Sequence, residues 1–349
     1  MNNGGHSPKN FGGYRSKRRR RRAIIRNIVL IALIVVIFAG MFAFLISLKK
    51  NSEIEKNTET ESITETETIP PETELPGVLE KDYTIKTYTS DDLHRGDLIL
   101  VREGAPFVFP EKQPLADLYS GRKLYGDKSR AYQISSTDLF LAPDVLDMLN
   151  KMTEAFYEET GKNALLVKSA YRSEEEQQEI FDYRVERDGE EEALKYVARP
   201  GESEHHTAMA FDMSVYKDGV NTYIQDEEDY LPIYEEAHKY GFILRYPEEK
   251  AAVTGISYEA WHFRYVGVPH AYYMYTNGLC LEEYLELLKK NYSYDSVHLT
   301  FDCDDGHTYE IYSVPAKADG SADIILPSGY EFDVSGNNTD GFVVTVTVK

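Results

Sequence analysis

His205, Asp212 and His262 are the residues of this chain whose types and spacing suit metal chemistry. The first two lie in the block Ser203-Glu204-His205-His206-Thr207-Ala208-Met209-Ala210-Phe211-Asp212. The third closes the block Glu259-Ala260-Trp261-His262. Two imidazoles and one carboxylate form a three-ligand set that leaves zinc an open fourth position. Glu259 precedes the last of them by three residues and is a carboxylate free to act as a base on a water activated there. His205 and Asp212 could reach one metal from a single helix, but Gly201 and Ala208 favour a loop feeding a strand. On an extended segment neighbouring side chains face opposite sides, so His206 is read as a non-ligand. His94, His238, His270, His298 and His307 have no partner pattern. Cys280 and Cys303 are too few for a disulfide framework; they make one bridge or two free thiols. Neither falls in a ligand block, so both are left out of the metal site.

The two blocks resemble those of the D-alanyl-D-alanine carboxypeptidases of the VanY type. These belong to the LAS metallopeptidases, named for lysostaphin, D-Ala-D-Ala peptidases and sonic hedgehog. The family form of the first block is Ser-x-His-x-x-Gly-x-Ala-x-Asp, and Ser203, His205, Ala210 and Asp212 fall in register with it. Ala208 stands where the family has Gly. If that position needs a positive φ, Ala strains the turn; if it only needs a small side chain, Ala serves. The second explanation is the expectation here. The second family block, Glu-x-Trp-His, is matched by Glu259, Trp261 and His262, followed by Phe263-Arg264-Tyr265-Val266. Ser169-Ala170-Tyr171-Arg172-Ser173, with Gln177 beyond it, and Ala198-Arg199-Pro200-Gly201 match as well, so the resemblance runs over roughly residues 95–290.

The resemblance implies zinc bound by His205, Asp212 and His262, with Glu259 as the base that passes a proton from water to the leaving amine. Arg172 is the candidate electrophile, since a guanidinium can hold an oxyanion or a substrate carboxylate with paired donors; the alternative is a structural salt bridge. Gln177 and Ser203 are candidates for substrate hydrogen bonds. Trp261, the one Trp of the chain, is a pocket wall or a core residue. Arg199 contacts substrate or supports its loop.

The charge of the chain is uneven. Its 349 residues carry a formal net charge of −21, yet residues 1–50 hold eleven Lys and Arg and no acidic residue. Arg18 to Arg22 is an unbroken basic run, and Ile28 to Leu48 is a 21-residue stretch without charge. About 20 apolar residues span a bilayer. The positive-inside rule then keeps the basic tail in the cytoplasm and sends the rest outside. Topology explains the Arg run, and the acidic remainder argues against a nucleic-acid partner. The expected order is a basic tail (1–22), a transmembrane anchor (23–50), an acidic disordered linker rich in Thr, Glu and Pro (51–77), a zinc peptidase domain (78–292) and a small all-β domain (293–349).

Periodicity predicts a strand over 97–101 and a helix from Ala142 to Thr160 stopped by Gly161. A strand over 164–169 should deliver Tyr171 and Arg172. Helices are expected over 174–185, 230–240 and 282–289, and short strands over 297–301, 308–312, 323–326 and 341–348. Without strict βαβ alternation this is an α+β pattern. The combined reading is a single-span, cell-surface zinc carboxypeptidase that removes the terminal D-Ala of peptidoglycan stem peptides. A wall endopeptidase, an L,D-carboxypeptidase and a non-catalytic envelope-binding protein stay open as alternatives. The intact Glu259 and ligand set weigh against the last.

Overall fold

The computed structural model describes residues 83–122 and 130–348. The basic tail, the transmembrane anchor and the acidic linker expected from the sequence lie outside the described residues. Among the described residues no helix is long and apolar enough to cross a membrane.

In chain order the strands are β1 (Tyr83–Tyr88), β2 (Ala116–Asp117), β3 (Tyr132–Ile134), β4 (Phe140–Leu141), β5 (Leu165–Ser169), β6 (Ala210–Lys217), β7 (Val220–Thr222), β8 (Phe242–Leu244), β9 (His262–Tyr265), β10 (Leu299–Asp302), β11 (Thr308–Pro315), β12 (Ala322–Pro327), β13 (Glu331–Gly336) and β14 (Gly341–Thr347). The longer helices are α1 (Pro143–Thr160), α2 (Glu174–Asp188), α3 (Val268–Asn277) and α4 (Leu281–Asn291). A six-stranded sheet in the order β3-β5-β6-β9-β8, with β7 paired to β6, forms the centre. Only its β3–β5 pair is parallel. Helices and a mostly antiparallel sheet make the α+β arrangement that the element pattern predicts.

Helix α1 follows directly from its sequence. Pro143 sits in the first turn, where a missing N–H costs nothing, and Gly161 ends the helix in the left-handed conformation at φ 69°. Val145, Leu146, Leu149, Met152 and Phe156 fall on one face and are buried. Full burial of such side chains is worth roughly 1.5–3 kcal/mol each. They meet Phe211, Met213 and Phe263 from one face of the sheet, which leaves the other face for chemistry.

Two expected elements differ. Residues 98–101 are buried and Asp97 half-buried, but they are not in a ladder. Their backbone groups are satisfied mostly by side chains: Asp97 O and Ile99 O accept from Arg264, Leu98 N donates to Ser335 Oγ and Leu100 O accepts from Asn338, while Leu100 N donates to the Asn337 carbonyl. An apolar run that reads as a strand is here a strap held by Arg and Ser. The helix expected over 230–240 is broken into a short helix, Pro232–Glu236, between 3₁₀ turns at Glu228–Tyr230 and Ala237–Tyr240.

The C-terminal segment contains a four-stranded antiparallel sheet, β10-β11-β14-β13, and β12, which pairs with β1 from the other end of the described chain. Alternate residues of β14 serve two cores. Phe342, Val344 and Val346 pack with Ile324 and Leu326 of β12. Val343 points the other way, into a core with Leu281, Tyr284 and Leu288 of α4 and with Leu98 and Leu100 of the strap. The β segment and the peptidase segment therefore share apolar core and strand pairing.

Candidate active site

The site lies where the ends of three neighbouring strands meet. Asp212 in β6 is directly opposite His262 in β9, and Ser169 at the end of β5 is opposite Asp212 across a bulge. Period-2 alternation sends Phe211 and Phe263 to the core side, where their rings stack 5.5 Å apart. Asp212 and His262 consequently project together from the opposite face. His205 arrives from a 3₁₀ turn, Glu204–Thr207, that reverses the chain before β6. Arg172 N donates to His205 O and Tyr171 N to Phe140 O, which ties the Arg172 loop to the first block.

His205 Nε2, Asp212 Oδ1 and His262 Nδ1 converge. The carboxylate oxygen is 3.5 Å from the first nitrogen and 3.3 Å from the second. Among the described residues these three side chains form a group able to hold a metal ion, with ligand atoms all within 4.8 Å of one another. Asp212 Oδ1 is buried with no aligned hydrogen-bond donor. An orphaned anionic oxygen facing two imidazole nitrogens fits a cation, and this N, N, O donor set suits zinc. The distal nitrogens are turned outward. His205 Nδ1 lies 2.6 Å from Ala170 O, and His262 Nε2 lies 3.4 Å from Glu204 Oε2. Outer partners of this kind orient metal-ligating His.

The electrostatics suit ligands. Burial, then the nearby Arg172 charge, push His205 down to about 4 against the pull of Asp212. Burial opposes ionisation of Asp212, yet the two imidazoles hold its carboxyl well below the usual range. For His262 burial works against the proton, but Asp212 and Glu204 on either side raise it to about 9. The same negative surroundings would favour a dication. Glu259 is buried, with Oε2 3.6 Å from His262 Nδ1. Burial and the neighbouring Asp212 charge lift its carboxyl to about 8, against His262 and Arg172. A cation at the ligand atoms would draw that value back down.

These groups line a cleft of about 450 Å³ that also takes in Arg172, Gln177, Ser203, Tyr223, Tyr246 and Trp261. Arg172 is held by Gln177 Oε1 at 2.6 Å and Ser169 Oγ at 2.8 Å, with its Nη2 3.9 Å from Asp212 Oδ2. Gln177, expected as a substrate contact, donates its Nε2 to Ala198 O. Both ends of its amide are engaged within the protein, which makes it a holder of Arg172. Ser203 is on the cleft wall. Trp261 stacks on Tyr223, centroids 5.1 Å apart, and the pair forms an aromatic wall. Arg199 pairs with Glu190 and Glu103 and so braces loops. A second hollow of about 510 Å³ at the outer edge of β3 is lined by other residues, Arg122 and Tyr132 among them, and contains none of these groups.

Ala208 has φ 60°, in the left-handed region. The expectation that the family Gly is replaced there only for size is therefore wrong. The turn into β6 needs a positive φ, and this chain accepts it with a Cβ. His206 is not on an extended segment either. It lies in the 3₁₀ turn, where its Nδ1 meets Arg172 O and its Nε2 accepts from Gly201 N, so both nitrogens are occupied away from the ligand atoms. Cys280 and Cys303 are free and buried.

Sequence reasoning missed Glu204, Arg245 and Tyr246. Glu204 Oε1 accepts from Arg245 Nε at 2.8 Å and Arg264 Nη1 at 2.9 Å, and all three side chains are buried. Glu204 stands at an unspecified position of the first block, Arg264 follows the second and Arg245 belongs to neither, so no local signal joins them. Tyr246 packs its ring 5.0 Å from that of His262.

Residues 138–268 match the family described as VanY, D-alanyl-D-alanine carboxypeptidase. A D-alanyl-D-alanine carboxypeptidase of Enterococcus faecium is 30% identical over 261 residues, covering 75% of this chain and 78% of the relative. The bifunctional D-Ala-D-Ala dipeptidase and D-Ala-D-Ala carboxypeptidase VanXYC of Enterococcus gallinarum is 38% identical over 160 residues, 44% of this chain and 82% of that one. Among solved structures, the vancomycin resistance D,D-dipeptidase VanXYg in complex with a D-Ala-D-Ala phosphinate analogue superposes with a TM-score of 0.66 at 32% identity. It covers 76% of this chain and 99% of that one.

Proposed function

Because this chain belongs to the VanY family of D-alanyl-D-alanine carboxypeptidases, we propose that it removes the terminal D-Ala from peptidoglycan stem peptides, with zinc held by His205, Asp212 and His262. The observation that carries the proposal is the cross-strand pair Asp212–His262, completed by His205 and flanked by Glu259. Zinc bound at such a site acts as a Lewis acid and lowers the pKa of a water to about 7.

The protein groups divide the remaining work. Glu259 takes one proton from the attacking water as the water oxygen adds to the scissile carbonyl carbon. It returns that proton to the amine nitrogen as the C–N bond breaks, so D-Ala leaves as a neutral amine and the shortened peptide as a carboxylic acid, whose remaining proton, the second of the water, passes to solvent as the carboxylate forms. Arg172, fixed by Gln177 and Ser169 beside Asp212, offers its charge where negative charge develops on the carbonyl oxygen. Trp261 and Tyr223 wall the cleft. The reading also sets the described segment outside the cell membrane, supported by the basic run Arg18 to Arg22 ahead of the apolar stretch 28–48. Protease added to intact cells should then digest the described segment and spare the N-terminus; the opposite pattern would take the wall substrate out of reach.

The test of activity compares a stem peptide ending in free D-Ala-D-Ala with the same peptide amidated at its C-terminus, with and without chelator. The free peptide should lose one alanine by mass, and chelator should stop the reaction. Amidation removes a recognised charge and should cost about 1.5–3 kcal/mol, or roughly 10–150-fold in rate. Equal cleavage of both peptides would replace the carboxypeptidase reading with an endopeptidase.

A further inference from the structure

We infer that Glu204 is a positioning residue of the metal site: held by Arg245 and Arg264, it sets which nitrogen of His262 faces the metal. The inference rests on the reading of His262 as a ligand. A neutral imidazole carries one N–H, and the nitrogen that bears it cannot ligate. His262 Nδ1 is on the ligand side, 3.3 Å from Asp212 Oδ1. Its Nε2 is on the far side, 3.4 Å from Glu204 Oε2; the two buried atoms face each other without an aligned bond, and neither has another partner. A carboxylate only accepts hydrogen bonds, so Glu204 selects the form with the proton on Nε2 and the lone pair on Nδ1.

Three features make this more than a buried ion pair. Arg245 and Arg264 both donate to Oε1 of Glu204, and Oε2 is left with no aligned donor, facing His262. Each Arg is itself anchored. Glu282 grips Arg245 with two bonds, at 2.9 and 2.7 Å, and the carbonyls of Asp97, Ile99 and Tyr265 hold Arg264. The carboxylate therefore has no room to turn. Finally, Arg264 projects from the same face of β9 as His262, and its partner across the sheet is Ala210, whose small side chain leaves space for the guanidinium. His205 Nδ1 meets the Ala170 carbonyl, so the two ligands rely on different devices.

The test uses Glu204→Gln in the full chain. The side-chain oxygen of Gln would be claimed by the two Arg donors, which turns its NH2 toward His262 Nε2, donor against donor. That arrangement favours the proton on Nδ1 and should weaken zinc affinity about 10–100-fold in chelator competition. A core truncation away from this cluster, Ile324→Val, should lower the melting temperature and leave zinc affinity unchanged, which separates positioning from general stability. In the zinc-loaded wild type, nitrogen-15 NMR of histidine should show the His262 proton on Nε2. If Glu204→Gln does not fold, zinc affinity is read instead in Glu204→Asp, whose shorter carboxylate withdraws from Nε2 and should also bind zinc more weakly than wild type; unchanged affinity there would overturn the inference. Wild-type zinc affinity in a folded Glu204→Gln, or a proton on Nδ1 in the wild type, would overturn the inference. Wild-type zinc affinity in His262→Ala would instead remove the ligand reading beneath it.

Discussion

Glu204 and Glu259 stand on opposite sides of the same imidazole, both buried, and the protein treats them differently. On the Nε2 side, burial disfavours the charge of Glu204, but Arg245 and Arg264 more than offset this and hold its carboxyl well below the usual range. On the Nδ1 side, the ion-pair contact of Glu259 is the His262 ring itself, and burial pushes its carboxyl upward. One carboxylate is locked in geometry and charge, as an orienting group requires. The other lines the cleft with few opposing charges, as a group that must gain and lose a proton requires. The difference comes from neighbours, since the side chains are identical.

The largest test of this contrast is Glu259→Gln. It should keep zinc and fold while turnover drops by about 10²–10⁴-fold, measured on a stem peptide alongside metal content. A near wild-type rate would mean that the carboxylate on the Nδ1 side is not the proton carrier. Next comes Arg245→Met, which strips one guanidinium from the locked side and leaves Glu204 and Glu282 short of a partner. Breaking a buried pair in this way costs about 3–5 kcal/mol, read by denaturant unfolding. A loss below about 1 kcal/mol would show that the locked side is exchangeable with apolar packing. The smallest effect is expected at the turn that carries both Glu204 and His205. Ala208→Gly relieves a left-handed Cβ worth about 1–2 kcal/mol, less about 0.4–1 kcal/mol for the looser unfolded chain. A modest gain in unfolding midpoint should follow. A loss would show that packing of the fully buried Ala208 methyl outweighs its strain.

Much of the cleft was legible because its signals are local. His205, Asp212, His262 and Glu259 carry the residue types that zinc hydrolysis needs, in two short blocks, and the structure brings all four together. Helix α1 was legible from Pro143, Gly161 and the apolar spacing between them. Gln177 falls in the expected helix and on the cleft, but its bonds to Arg172 and Ala198 were not legible, because they are set by how two loops meet. The strap at 97–101 was misread for a similar reason. An apolar run states that a segment is buried, and says nothing of whether a strand or the Arg264 side chain satisfies its carbonyls.

The sequence by itself picked out the candidate ligand set, the candidate base, the α+β pattern and the helix boundaries that Pro and Gly punctuate. Each depends on residue type or on spacing within one turn or strand. The tertiary structure alone decided that Asp212 pairs with His262 across β6 and β9, that Nδ1 of His262 faces the metal side, and that Ala208 takes a positive φ. It also decided that β1 joins β12 and that Glu204 meets Arg245 and Arg264. Register, ring orientation and buried charge partners arise from contacts between residues tens to hundreds of positions apart. They form only when the whole core closes, and local composition carries no record of them.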